Sequence, residues 1–189
     1  RIDKEAIARF EREAIAAANL RHPNIAEATD FGRLPDGALY LVMEYVEGTT
    51  LRNLLREQGK LAPERALGIL QQVAGALATA HGRDVVHRDL KPENVIVVSG
   101  EGGVDVVKVI DFGIAKIRGA TFGAGSAALT RAGTVFGTPE YMAPEQVMGQ
   151  AADARADQYA LGVLTFELLT GKPPFHAEDM GQLMMMHVG

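Results

Sequence analysis

The sequence has no cysteine, which rules out a disulfide framework and a thiolate metal site. That absence fits a reducing cytoplasm. Basic charge is not in excess either. The 19 Lys and Arg face 24 Asp and Glu, a net charge of -5, which argues against a nucleic-acid role driven by a basic surface. No apolar run is long enough to cross a bilayer: the most apolar stretch, Tyr159 to Leu169, is too short and contains Glu167. No signal peptide or internal repeat is visible. No Met opens the chain, which begins at Arg1 and ends after "QLMMMHVG", so a fragment at both ends is expected.

What is present suits a globular domain. The 189 residues are 47% hydrophobic and 23% charged, enough to bury a sizeable core. Asp3 to Leu20 has the periodicity of an amphipathic helix, with Ile7, Phe10, Ala14, Ala17 and Ala18 on one face and Glu13 on or beside it. "RHPN" ends that helix, because a residue before proline is pushed toward extended geometry. Two strands are expected near Ile25 to Phe31 and Leu39 to Tyr45, joined by the turn "LPDGA". A short helix from Leu51 stops at Gly59, and another starts at Pro63. The apolar face of the second is read as Leu67, Leu70, Val73, Ala74, Leu77, Ala78 and His81. Val95 to Val98 and Val104 to Ile110 form a strand pair around "SGEGG". The Gly-, Ala-, Ser- and Thr-rich stretch from Gly119 to Gly133 has a composition that orders poorly, and Arg155 to Leu169 is a strong apolar helix stopped by "GKPP". This order predicts an α+β fold with a small mixed lobe and a larger, mostly helical one.

The chemistry-bearing residues cluster in three places. "VVHRDLKPENVIVV", Val85 to Val98, crowds six polar side chains between two apolar runs, on a loop between a helix and a strand. About twenty residues later "IDFG" again follows a strand directly. "GTPEYMAPE" comes next, and then the apolar helix with Asp157 near its start. Each piece alone could be turn-forming Asp and Asn, but together and in this order chance explains them poorly.

These motifs resemble the eukaryotic-type (Hanks-type) serine/threonine protein kinases, in particular their bacterial members, over nearly the whole chain. The resemblance implies a bilobal fold. Residues 1–46 would be a remnant of the small lobe (a regulatory helix plus two strands) with the hinge, and 47–189 a larger lobe incomplete at its C-terminal end. It implies ATP and Mg²⁺ as cofactors and protein Ser/Thr hydroxyls as substrates. Asp89 matches the aspartate that accepts the hydroxyl proton, Lys91 the lysine that steadies the γ-phosphate, and Asn94 and Asp111 the magnesium ligands. Lys91 also points to Ser/Thr and away from tyrosine.

By the same resemblance, Glu13 matches the regulatory-helix glutamate that pairs with the ATP-binding lysine. "VMEYVEG" is similar to the hinge, with Met43 guarding the back pocket, the backbone of Glu44 to Val46 on adenine, and Ile96 beneath it. Thr134 and Thr130 match activating phosphosites, and Arg88 the residue that would bind the phosphate bidentately. Thr138 would contact Asp89 and Lys91 in the substrate groove. His87, Phe112, Gly113, Glu145 and Asp157 match structural positions: His87 and Phe112 an apolar spine, Asp157 the anchor of the catalytic loop backbone.

Two expected parts are missing from the sequence: a Gly-rich phosphate loop and a strand bearing the lysine partner of Glu13. The later helices that would supply an arginine for Glu145 are absent too. The expectation is an active parent kinase and a weak or inactive fragment. Two alternatives stand beside it: a pseudokinase scaffold or nucleotide-binding module, opposed by the intact Asp89, Asn94 and Asp111, and a small-molecule transferase of kinase-like fold, opposed by "GTPEYMAPE". The implied partners are Ser/Thr-bearing proteins and a second kinase copy for trans-autophosphorylation, with no nucleic acid and no membrane segment. The implied location is the cytoplasm, free or as part of a membrane-anchored kinase.

Overall fold

A computed structural model of the chain describes residues 16, 18–35, 39–100, 103–112 and 139–189. Most of the first helix expected from the periodicity, including Glu13, therefore lies outside the described residues, as do Gly113, Thr130, Thr134 and Thr138.

The small lobe is an antiparallel pair. β1 (Ala28–Arg33) faces β2 (Leu39–Met43), with Phe31 opposite Leu41 and a register shift between Ala28 and Asp30. After the hinge, β3 (Thr49–Thr50) joins β4 (Val95–Ser99) and β5 (Asp105–Val109) in a three-stranded antiparallel sheet of order β3-β4-β5. Val95 and Val97, with Val107 and Val109, point into the core, while Ile96 and Lys108 sit opposite one another on the other face. Gly48 is required where the hinge crosses this sheet, because a Cβ there would meet the Val97 carbonyl oxygen at 2.7 Å and Ile96 Cγ2 at 2.8 Å.

The helices follow their local signals. α1 (Leu51–Gln58) is capped by Thr50, whose hydroxyl accepts from the Asn53 amide, and stops at Gly59 with φ 77°. α2 (Pro63–His81) begins with proline in its first turn. α3 (Pro144–Val147) is a single turn, and α4 (Ala154–Thr170) is capped by Asp153 and ended by left-handed Gly171. A further helix, α5 (Met180–Val188), is capped by Asp179 and extends beyond the elements read from the sequence.

The buried face of α2 differs from the expected one. Ala66, Ile69, Val73, Ala76, Leu77 and Ala80 are buried, whereas Leu67 is 56% exposed and Ala74 and Ala78 face outward. The two stripes share Val73 and Leu77, so periodicity alone separates them poorly. Packing decides: three alanines let α2 lie close against both β5 and α4, and a bulky Leu67 gains nothing by turning inward. This core joins Ile69, Val73 and Leu77 to Leu164 and Leu168 of α4 and to Val95, Val107 and Val109 of the sheet.

Candidate active site

The loop Val85 to Asn94 leaves α2, turns back over α4 and enters β4 through a 3-10 turn, Pro92–Asn94. Its polar residues are held by a buried carboxylate. Asp157, in the first turn of α4, has a side chain 1% exposed. Its Oδ2 accepts from the His87 amide (2.8 Å) and faces His81 Nε2 (2.7 Å), and its Oδ1 accepts from the Arg88 amide (2.7 Å). A buried carboxylate persists only where such donors satisfy it. His81, read from the sequence as part of the apolar face of α2, is thus one of the partners of Asp157.

Arg88 adopts φ 65°, a left-handed conformation that costs a non-glycine residue about 1–2 kcal/mol. It is held on both sides: its amide donates to Asp157 and its carbonyl accepts from Gln146 Nε2 at 2.9 Å. Gln146 in turn accepts from the Ala143 amide through Oε1. The turn aims the next residue, Asp89, toward two neighbours. Lys91 Nζ lies 2.8 Å from Asp89 Oδ2, and Asn94 Nδ2 donates to the Asp89 carbonyl (2.7 Å) and more weakly to Oδ2 (3.3 Å). With its NH₂ committed to Asp89, the buried Asn94 amide has only its oxygen to offer a further ligand.

The β4–β5 ladder carries Asp111 to the same place. Asn94 accepts the Ile110 amide through its carbonyl at 2.9 Å, one bond beyond the last strand pair. Asp111 follows with φ 66° and, among the described residues, no hydrogen bond or ion pair. His87 Nε2 meets the Ile110 carbonyl at 2.9 Å, and its ring packs edge-on to Phe112, centroids 4.7 Å apart. The structure therefore gathers Asp89, Lys91 and Asn94 directly and brings Asp111 beside them through the backbone.

The hinge residues form a second group. Met43 ends β2, and Glu44 and Val46 are half-buried while Tyr45 is 91% exposed. The Glu44 amide donates to the Glu27 carbonyl (2.8 Å), so only the Glu44 carbonyl is left for a ligand. Ile96 of β4 lies against the end of the hinge at Gly48. Glu145 sits in the first turn of α3, half-buried, and makes no ion pair among the described residues.

Sequence reasoning missed a further network. Arg52 of α1 bonds Glu93 (2.7 Å), Glu167 (2.7 Å) and the Tyr141 hydroxyl (2.7 Å), and Tyr141 donates to Glu167. Burial works against the Arg52 charge, but its bonds to Glu93 and Glu167 outweigh that and raise its pKa above the usual value. Burial, then the bond to Glu167, pushes the Tyr141 phenol well above its ordinary range. The available signal was Glu167 itself, the one charge in the apolar run of α4 and only 3% exposed in the fold.

The described residues thus combine a strand pair with a helical part that presents an aspartate–lysine–asparagine loop, and Asp111 follows the end of β5 beside it. The chain belongs to the protein kinase domain family, which it matches over residues 1–188. It is 50% identical over 177 residues to the serine/threonine-protein kinase pkn3 of Myxococcus xanthus, covering 94% of this chain and 32% of that protein. It is 42% identical to the probable serine/threonine-protein kinase PknB of Lactococcus lactis, covering 98% of this chain and 28% of that protein. Against the serine/threonine-protein kinase PrkC of Bacillus subtilis the identity is 41%, with 98% of this chain and 27% of that protein covered. The chain thus spans about a third or less of the length of these curated relatives. No helix among the described residues is long and apolar enough to cross a membrane.

Proposed function

We propose that this chain is the catalytic part of a protein kinase that transfers the γ-phosphoryl group of ATP to serine or threonine hydroxyls of proteins. The observation that carries the reading is the Asp89–Lys91–Asn94 cluster, held over a buried Asp157 and beside Asp111. In this reading Asp89 orients the substrate hydroxyl and takes its proton, and Lys91 steadies the transferred group. The Asn94 oxygen and the Asp111 carboxylate hold Mg²⁺. Both are oxygen donors of the kind that ion prefers, and both are free of other described partners in the required sense: the Asn94 amide is turned so that its nitrogen faces Asp89, and Asp111 is unpaired among the described residues. Bound Mg²⁺ would neutralise phosphate charge. The chain's own residues position the hydroxyl, hold its proton at Asp89 and fix adenine at the hinge, where the Glu44 carbonyl and the Val46 backbone face the base and Met43 and Ile96 close the apolar sides.

Regulation belongs to the same proposal. Phosphorylation of Thr134, with Thr130 as a second site, would order the activation segment by pairing with Arg88, whose backbone is already fixed at the base of the catalytic loop. Thr138 would line the substrate groove, and Glu13 would pair with the ATP-binding lysine. A second kinase copy would supply the activating phosphate in trans.

Labelled ATP and Mg²⁺ with the complete gene product, beside Asp89→Asn, test the reading. Label on Ser and Thr in the wild type and none in the variant is the expected result, and a Thr134→Ala variant should then lose most activation. Nucleotide binding without any transfer, in a folded protein, would replace this reading with a pseudokinase scaffold.

A further inference from the structure

Lys108 is a charged side chain in the middle of β5, and none of the roles above uses it. It stands opposite Ile96, on the face of the sheet that points away from the core. Its Nζ reaches 2.6 Å from Glu44 Oε1 in the hinge and 3.4 Å from the Ile25 carbonyl. The same Glu44 oxygen also accepts from the Glu27 amide at 2.9 Å, and the Glu44 amide returns a bond to the Glu27 carbonyl at 2.8 Å. Three segments meet there: the stretch leading into β1, the hinge, and the strand that ends two residues before Asp111.

The Ile25–Glu27 side of the junction is anchored independently. Ile25 bridges Val109 in parallel, the Ala26 amide donates to the Val109 carbonyl (2.9 Å), and the Val109 amide donates to the Asn24 carbonyl (2.9 Å). Asn24 Nδ2 donates to both the Val107 carbonyl and Gln72 Oε1, at 2.8 Å each, which ties this seam to α2. The lower strand and the loop above it are therefore one rigid piece, and the hinge is the part that needs fixing to it. Glu44 supplies that fixing through one side-chain oxygen and one amide. The hydrogen bond to Lys108, and then the Glu27 amide, hold its carboxyl below the usual carboxylate range, as expected of a carboxylate with two good donors.

We propose that Lys108 is a nucleotide-positioning residue: through Glu44 it staples the hinge to the strand leading into Asp111, and so sets the distance between the backbone groups that take adenine and the carboxylate that takes the metal. The inference rests on the nucleotide reading above. Both side chains are partly exposed, 24% for Lys108 and 34% for Glu44, so stability alone gives the pair little to do. Its effect lies in geometry, because a ligand bound at both ends is sensitive to small displacements of either.

The test uses the complete gene product and the fluorescent nucleotide mant-ADP with Mg²⁺. Lys108→Met keeps the aliphatic stem and removes the charge, and Lys108→Arg restores a donor. Losing one partly exposed charged pair should weaken mant-ADP binding about five-fold in the Met variant, and the Arg variant should recover most of that. KM for ATP should rise in parallel while kcat stays within about two-fold, the pattern of lost ground-state positioning. Hydrogen exchange at the hinge amides, that of Glu44 above all, should speed up in the Met variant only. Unchanged mant-ADP affinity in Lys108→Met, or a fall in kcat at unchanged KM, overturns the proposal, as does equal weakening in the Met and Arg variants. If Lys108→Met does not fold, Glu44→Gln reports the same loss, since the amide oxygen still accepts from Glu27 but lacks the charge, and unchanged affinity there also overturns it. A wild type that binds no mant-ADP would overturn the nucleotide reading itself, a result distinct from every variant outcome.

Discussion

Replacing Asp157 by asparagine changes one atom, yet the surroundings turn that atom into a conflict. The carboxylate receives three donors or potential donors: the His87 amide and His81 at Oδ2, and the Arg88 amide at Oδ1. An asparagine can keep its oxygen toward Arg88 and pair its NH₂ with a neutral His81, but the NH₂ then faces the His87 N–H. The alternative flip leaves the Arg88 amide without an acceptor. Either way one buried backbone donor is orphaned, at about 1–3 kcal/mol, and the charge assistance of the remaining bond is lost as well. The sum is about 2–4 kcal/mol, a large share of the roughly 5–15 kcal/mol that holds a domain together. In either orientation the paired grip on the His87 and Arg88 amides is broken, so the left-handed turn at Arg88 is held less firmly and Asp89 should move with it. Urea denaturation of the kinase-domain transition in the complete protein measures this as a lower midpoint at unchanged slope. Phosphate transfer should fall in parallel, more than nucleotide binding does. An asparagine variant within about 0.5 kcal/mol of the wild type would refute the assignment of Asp157 as the support of this loop.

Ile69→Ala should cost about 2–5 kcal/mol by denaturation, whereas Leu67→Ser should change stability by less than about 0.5 kcal/mol, because α2 turns Ile69 and not Leu67 toward the core. Arg52→Ala should destabilise by about 3–5 kcal/mol, since it leaves Glu167 buried and unpaired, and adding Glu167→Gln to it should recover part of that loss. Burial lowers the pKa of His187, which packs between Tyr159 and Phe175, with the Glu140 charge opposing the shift. The unfolded chain therefore binds a proton that the fold resists, and stability should decline as the pH falls below about 6.5 toward the lowered value, by at most about 1.4 kcal/mol per pH unit. In His187→Gln that part of the pH dependence should vanish from the denaturation midpoints.

The sequence by itself determined most of the elements before α5 and the residue types of the loop. Turn residues, proline at the start of α2, glycines after α1 and α4 and alternating valines are local signals, and local backbone preferences decide them. The residue types of "HRDLKPEN" and "IDFG" were legible for the same reason: they are contiguous in the chain. What required the tertiary structure lies between segments far apart in sequence. The facing of α2 depends on which stripe lets α4 and β5 approach, and alanines carry little weight in a hydrophobic pattern until a neighbour packs on them. Asp157 and His87 are separated by 70 residues, Arg52 and Glu167 by 115, and Lys108 and Glu44 by 64. A charged side chain in a sequence carries no mark of its partner, because pairing is a matter of desolvation and distance in the folded chain. Only the fold decided that a lone glutamate in an apolar helix would answer an arginine from α1, and that the hinge would be tied to the strand leading into Asp111.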